Sequence, residues 1–274
     1  AGEHGGVRLW HRASGVWLGQ LPARQVHTLR FSDPTTLTVL SDTLQQWSIP
    51  AQLSPDRVLR SGGFNGTAFS PDGRMLCGAT AQGEVRVWPI SAGTVADEAV
   101  FSQRFSSEYI AKDCDFTADS RHLLAAVIGH RGVPLIRTDD WSQVDLLDVP
   151  DIKQWPYHRR LGALQGGLIF STSYRRSGPE VWRLGEEGTL DFLRVPGRRF
   201  AEAETNHSRT AAALFDEEGL IYRLSAGEPP SLTQVAERQE GRAIDITDDG
   251  RRIAVGMSRT CLLYTSDAAD DDAC

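Results

Sequence analysis

A short β-like run, a turn and a second β-like run recur along this chain as LRFSDPTTLTVL, TAFSPDGRMLCGAT, CDFTADSRHLLAAV and IDITDDGRRIAVG. The residue before the turn is Phe31, Phe69, Phe116 and Ile246 in turn, and weaker copies lie at GALQGGLIFSTS and ETNHSRTAAALF. Counting those, Phe31 to Ile246 holds five intervals averaging 43 residues. A second marker trails each copy in the same order: Trp10, Trp47, Trp88, Ile136, Trp182 and Tyr222. Repeats of this length are single supersecondary units that cannot hide their apolar faces alone, so each must stack on its neighbours.

Inside a repeat the pattern predicts four short strands bounded by Gly, Asp, Ser and Pro turns. In the third repeat these are Gly66–Phe69, Met75–Thr80, Val85–Trp88 and Glu98–Phe101. Ser70-Pro71-Asp72-Gly73 makes the first hairpin, Pro71 fixing φ and Gly73 free to take positive φ, and Gln82-Gly83 makes the second. No segment keeps a helical period of 3.6 over a dozen residues, so the reading is all-β. Trp10, Trp47, Trp88 and Trp182 close the third strands and are read as filling the space between repeats. The longest apolar run, LLAAVI at Leu123–Ile128, is far short of the ~20 residues of a membrane helix.

On these residues the chain resembles a WD40-type β-propeller over nearly all of Val7–Met257. The resemblance implies four-stranded antiparallel blades around a central channel, about six to seven of them here. It has limits: His11, Ser48, Pro89 and Arg183 follow the four tryptophans where the family carries Asp, and the usual Gly-His pair is absent. The family's structural hydrogen-bond network is therefore not carried over, and apolar packing between blades takes its place. In this register the chain enters in a third strand, crosses five complete blades and leaves after a second strand. It reads as a bacterial-type fragment truncated at both ends, with an incomplete ring.

Residues 1–260 form the propeller domain and 261–274 are set apart. The run CLLYTSDAAD resembles the translation of a sequencing adaptor, so this tail is read as non-native, ahead of a true acidic tail or a Ca²⁺ loop. Without its four aspartates the net charge moves from −7 to −3, which gives no general pull toward nucleic acid or acidic membrane. Cys77 and Cys114 remain, both in apolar strand-like surroundings, and are expected as buried free thiols.

No H-E-x-x-H, paired C-x-x-C, P-loop or G-x-S-x-G occurs, and no position of the repeat shows a regular inward His or Asp. No cofactor, metal or catalytic residue is assigned, and the chain is read as not an enzyme. The longest connection, DVPDIKQWPYHRR at 148–160, brings Trp155, Tyr157, His158, Arg159 and Arg160 together. Aromatic and Arg side chains dominate interface hot spots, and long loops in compact folds carry function. In the propeller register Arg131, Arg175, Arg176, Arg198 and Arg199 map to connections on the same face. Together these ten residues are the expected partner-binding set, fitted to an acidic or phosphorylated protein segment. Asp216, Glu217 and Glu218 interrupt that basic face, and a solvated surface is the competing reading. What the resemblance implies for function is a protein-interaction scaffold, attached to a signalling domain such as a Ser/Thr kinase; the expected compartment is the cytoplasm, with the periplasm as the alternative. The rival is a propeller enzyme or small-ligand binder with polar groups converging at the channel mouth.

Overall fold

The computed structural model describes residues 63–148 and 158–236, apart from 92–93, 106–109, 131, 174–177, 186–189, 195–197, 207 and 228. Outside them it describes the strands at 7–10, 17–21, 28–33, 36–40, 43–48, 57–61, 243–246, 252–256 and 261–265. Among the described residues every regular element is a strand. The chain divides into two compact units, Ala1–Ala111 and Lys112–Cys274.

Among the described residues the first unit holds three sheets. β1 (Val7–Trp10) pairs with β2 (Trp17–Leu21), and β3 (Thr28–Asp33), β4 (Thr36–Leu40), β5 (Thr43–Ser48) and β6 (Arg57–Ser61) form an antiparallel meander. In the third sheet β7 (Phe64–Phe69), β8 (Met75–Thr80) and β9 (Glu84–Ser91) follow in order. Both β10 (Thr94–Val95) and β11 (Phe101–Arg104) pair with β9. The first three strands lie where the sequence predicts them, but the fourth is displaced: residues 97–100 are not strand, and Phe101 pairs with Val87. The cause is the length of β9, which runs on to Ser91 and folds back through β10 before the chain returns to the sheet.

The second unit repeats the motif more regularly. β12 (Ala111–Phe116), starting at the unit boundary, leads β13 (His122–Val127), β14 (Val133–Arg137) and β15 (Gln143–Leu147). β16 (His158–Leu164), β17 (Leu168–Ser173), β18 (Glu180–Leu184) and β19 (Leu190–Arg194) form the next sheet. β20 (Phe200–Thr205), β21 (Ala211–Asp216), β22 (Ile221–Ser225) and β23 (Ser231–Ala236) form a third. β24 (Ala243–Ile246), β25 (Arg252–Gly256) and β26 (Cys261–Thr265) complete the unit. The chain thus ends its last sheet on a third strand, one more than the sequence register gives. The physical reason lies in β25, whose free edge offers unpaired backbone groups, and Cys-Leu-Leu-Tyr-Thr is a short run suited to occupy it, Tyr264 opposite Ile253.

Apolar packing joins these sheets in sequence. One cluster draws Leu124, Val133 and Leu147 from the sheet of β12 together with Leu161, Ile169 and Trp182 from the next. Another joins Phe170 and Val181 to Phe200, Leu214 and Leu224, and a third joins Ala213 and Ile221 to Ile244 and Ile253. Trp182 fills its place between sheets as the sequence predicts, stacking edge-on against Phe192 and donating from Nε1 to the Asp148 carbonyl at 2.8 Å. Trp47 and Trp88 are equally buried, though Trp88 packs chiefly within its own sheet, edge-on to Phe64. Cys77 and Cys114 are buried as expected, but both are disulfide-bonded, which corrects the reading of free thiols. An apolar strand context predicts burial alone; whether a second sulfur stands within reach is a tertiary matter.

Candidate functional site

Among the described residues, three of the first hairpins are wired by their own side chains. Ser70 Oγ donates to Asp72 Oδ1 at 2.6 Å and accepts from the Met75 N–H at 2.9 Å, while the Arg74 N–H donates to the same carboxylate. Thr117, Asp119, Arg121 and His122 repeat this arrangement at 2.6 to 3.0 Å. In the third copy Asn206 Oδ1 accepts from the Thr210 and Ala211 N–H groups at 2.8 and 3.0 Å. The last turn residue takes positive φ each time: Gly73 at 74°, Ser120 at 62° and Arg209 at 57°. For glycine that conformation is free, and for arginine it is strained.

The strained residue makes the longest-range ionic contact described. Arg209 is buried and embraces Asp115 with both guanidinium arms, Nη2 donating to Oδ1 at 2.7 Å and Nη1 to Oδ2. Asp115 lies on β12, two sheets earlier, and Arg209 also donates to the Ala163 carbonyl on the intervening β16 at 3.2 Å. Beside this pair, Arg160 on β16 donates from Nε to Glu202 on β20 at 2.7 Å. Asp113 on β12 accepts the Leu161 N–H at 3.0 Å. The first strands of three successive sheets are thereby tied through charged side chains.

Electrostatics within this group are uneven. Burial pushes the Asp113 carboxyl up to about 7, against the opposing pull of Arg160 and of the Leu161 N–H, with Asp115 adding to the rise. Arg160 and Arg209 both lose hydration, yet the facing carboxylates outweigh that loss and strengthen their hold on the proton. Among the described residues no three His, Cys, Asp or Glu side chains are disposed to hold a metal ion. The arrangement links the first strands of three sheets through two ion pairs and the Leu161 N–H bond to Asp113.

The sequence reading missed this network, although a signal for it was present. Asp115, Glu204 and Asp245 each stand two residues before the turn, ahead of Thr117, Asn206 and Thr247. Asp113 and Glu202 stand two residues earlier again, so an acidic side chain does recur on the first strands.

The ten expected partner-binding residues fall in three groups. Trp155, Tyr157, Arg131, Arg175 and Arg176 lie outside the described residues. His158 and Arg159 belong to the opening of β16, not to a loop, with His158 opposite Ser173 and a bulge before Arg160. Arg160 is half-buried in its ion pair with Glu202. Arg198 and Arg199 are exposed on the connection between β19 and β20. Arg198 binds Glu218 and lies 3.9 Å from Asp216, so the acidic run that interrupts the basic face in sequence meets it in space.

No protein-family model matches the chain, and no curated protein matches its sequence. Solved structures do match. The β-propeller domain of Myceliophteria thermophila Cps50 (Swd1) superposes with a TM-score of 0.67 at 12% identity, covering 88% of this chain and 82% of that one. U3-55K superposes with a TM-score of 0.65 at 13% identity, covering 88% of this chain and 77% of that one. With sheets of four antiparallel strands and identity this low, the likeness is one of fold: the chain has the architecture of a β-propeller.

Proposed function

We propose that this protein is a non-catalytic scaffold that binds a partner protein through the connections between its sheets. The carrying observation is the fate of the first-strand charges. Arg209 is committed to Asp115 and the Ala163 carbonyl, Asp115 to Arg209 and the Phe116 N–H, and the Arg160 Nε to Glu202. A ligand site at the channel mouth needs polar groups with capacity to spare, whereas these join one sheet to the next. Chemistry for recognition is then left to the connections, where Arg198 and Arg199 are exposed.

The proposed face comprises Trp155 and Tyr157 with His158, Arg159, Arg131, Arg175, Arg176, Arg198 and Arg199. Its partner is an acidic segment, phosphorylated or not, because planar guanidinium groups grip carboxylate and phosphate in pairs. Attachment to a signalling domain such as a Ser/Thr kinase fits this role. For the compartment, the disulfide-bonded Cys77 and Cys114 favour an oxidising setting, the periplasm ahead of the cytoplasm.

An array of acidic and phosphorylated peptides tests the reading. Binding should weaken at least tenfold in the W155A/R175A/R176A variant and persist in R74A/R121A, with the melting temperature of both unchanged. Equal binding by all three proteins, or binding by none, overturns it.

A further inference from the structure

Two acids bear on Arg198, and they are held by unequal means. The main chain of the connection between β19 and β20 is clamped from both sides. The Gly178 N–H donates to the Arg198 carbonyl at 2.8 Å, and the Glu217 N–H donates to the Arg199 carbonyl at 3.1 Å. From that fixed base the Arg198 guanidinium reaches the turn between β21 and β22, where Nη1 donates to Glu218 and Nε lies 3.9 Å from Asp216. Asp216 is buried and pinned, because its Oδ1 closes the turn by accepting the Glu218 and Leu220 N–H groups at 2.9 and 2.7 Å. Its Oδ2 is buried as well and accepts no hydrogen bond among the described residues. The Glu218 carboxylate, by contrast, stands in solvent with 69% of its side chain exposed.

Given the partner face proposed above, we infer that Glu218 is a built-in stand-in for the partner's acid: it occupies the Arg198 guanidinium until an acidic group of the partner takes its place. Both ends of the pair are exposed, so the exchange needs one side chain to turn away and no sheet to open. Water screens an exposed ion pair and holding it orders two long side chains, so releasing Glu218 costs little. Asp216 stays behind as a fixed negative charge within Coulomb reach and keeps the guanidinium over the turn while Nη1 changes partners. The position of Glu218 therefore marks where a carboxylate or phosphate of the partner docks. A neutral segment has nothing to exchange for it.

Fluorescence anisotropy of a labelled oligoglutamate peptide carrying one phosphothreonine, titrated with the full chain at low salt, tests the stand-in. E218Q should tighten binding by about two- to fivefold, the range of the exposed ion pair that it dissolves. R198A should weaken binding by about tenfold, the loss of one charge-assisted hydrogen bond. The double variant R198A/E218Q should bind as R198A does. Tightening by E218Q that persists in the R198A background overturns the proposal, because it assigns the effect to long-range repulsion. Unchanged binding by E218Q, or by R198A, overturns it too. If W155A/R175A/R176A still weakens binding in those cases, the partner face stands and the stand-in alone falls. No binding by the wild-type chain sinks both together.

Discussion

Two hairpins of this chain share a side-chain-to-backbone closure and differ in the residue that ends the turn. Between β7 and β8, Ser70 bonds the backbone of Met75 and the turn closes on Gly73 at φ 74°. Between β20 and β21, Asn206 plays the part of Ser70 and the turn closes on Arg209 at φ 57°. The bonds described for Ser70 and Asp72 in the first turn all lie within the hairpin. The second accepts left-handed strain that arginine carries and glycine does not, and it gains a bidentate ion pair with Asp115 and a bond to the Ala163 carbonyl. Strain at one position is held in place by contacts that are distant in sequence.

The comparison can be broken most forcefully from the far end. D115A leaves the Arg209 guanidinium buried without its partner, and should lower unfolding free energy by about 3–5 kcal/mol in denaturant titration. The double variant D115A/R209G should recover part of that loss, since it removes the orphaned charge and the strained residue together. Additive losses would show that the two side chains are not coupled.

Exchanging the closing residues sharpens the contrast. G73R places a side chain at positive φ with no carboxylate named to receive it, and should cost about 1–2 kcal/mol. A smaller effect than R209G would show that strain matters less than the ion pair. S70A deletes the hydroxyl that bonds Asp72 and the Met75 N–H, with an expected loss of about 1 kcal/mol. Smallest of all is E218Q. Its partner Arg198 is exposed, where water screens the attraction, so the melting temperature should not move measurably.

Legibility in the sequence followed the range of each interaction. The roughly forty-residue period, the strands of the third repeat up to Trp88, and the turn at Ser70–Gly73 rest on contacts within about a dozen residues, and the sequence displays them. The displaced fourth strand at Phe101–Arg104 depended on how far β9 extends, which local propensity leaves undetermined. The place of Trp182 between sheets was readable because its spacing repeats, while its bond to the Asp148 carbonyl was not. The recurring first-strand acids Asp115, Glu204 and Asp245 were visible but carried no sign of their partners. Nothing in its local sequence sets Arg209 apart in a chain where Arg far outnumbers Lys.

Alternation of apolar and polar residues, and the turn chemistry between them, determined by themselves that this chain builds repeated antiparallel sheets. That follows because strand pairing and hairpin closure are local: side chains two apart share a face, and a turn residue answers only to its own φ. The tertiary structure alone decided which charges meet. Asp115 and Arg209 stand 94 positions apart, and only the stacking of one sheet on the next brings them within hydrogen-bonding distance and removes the water that would otherwise screen them.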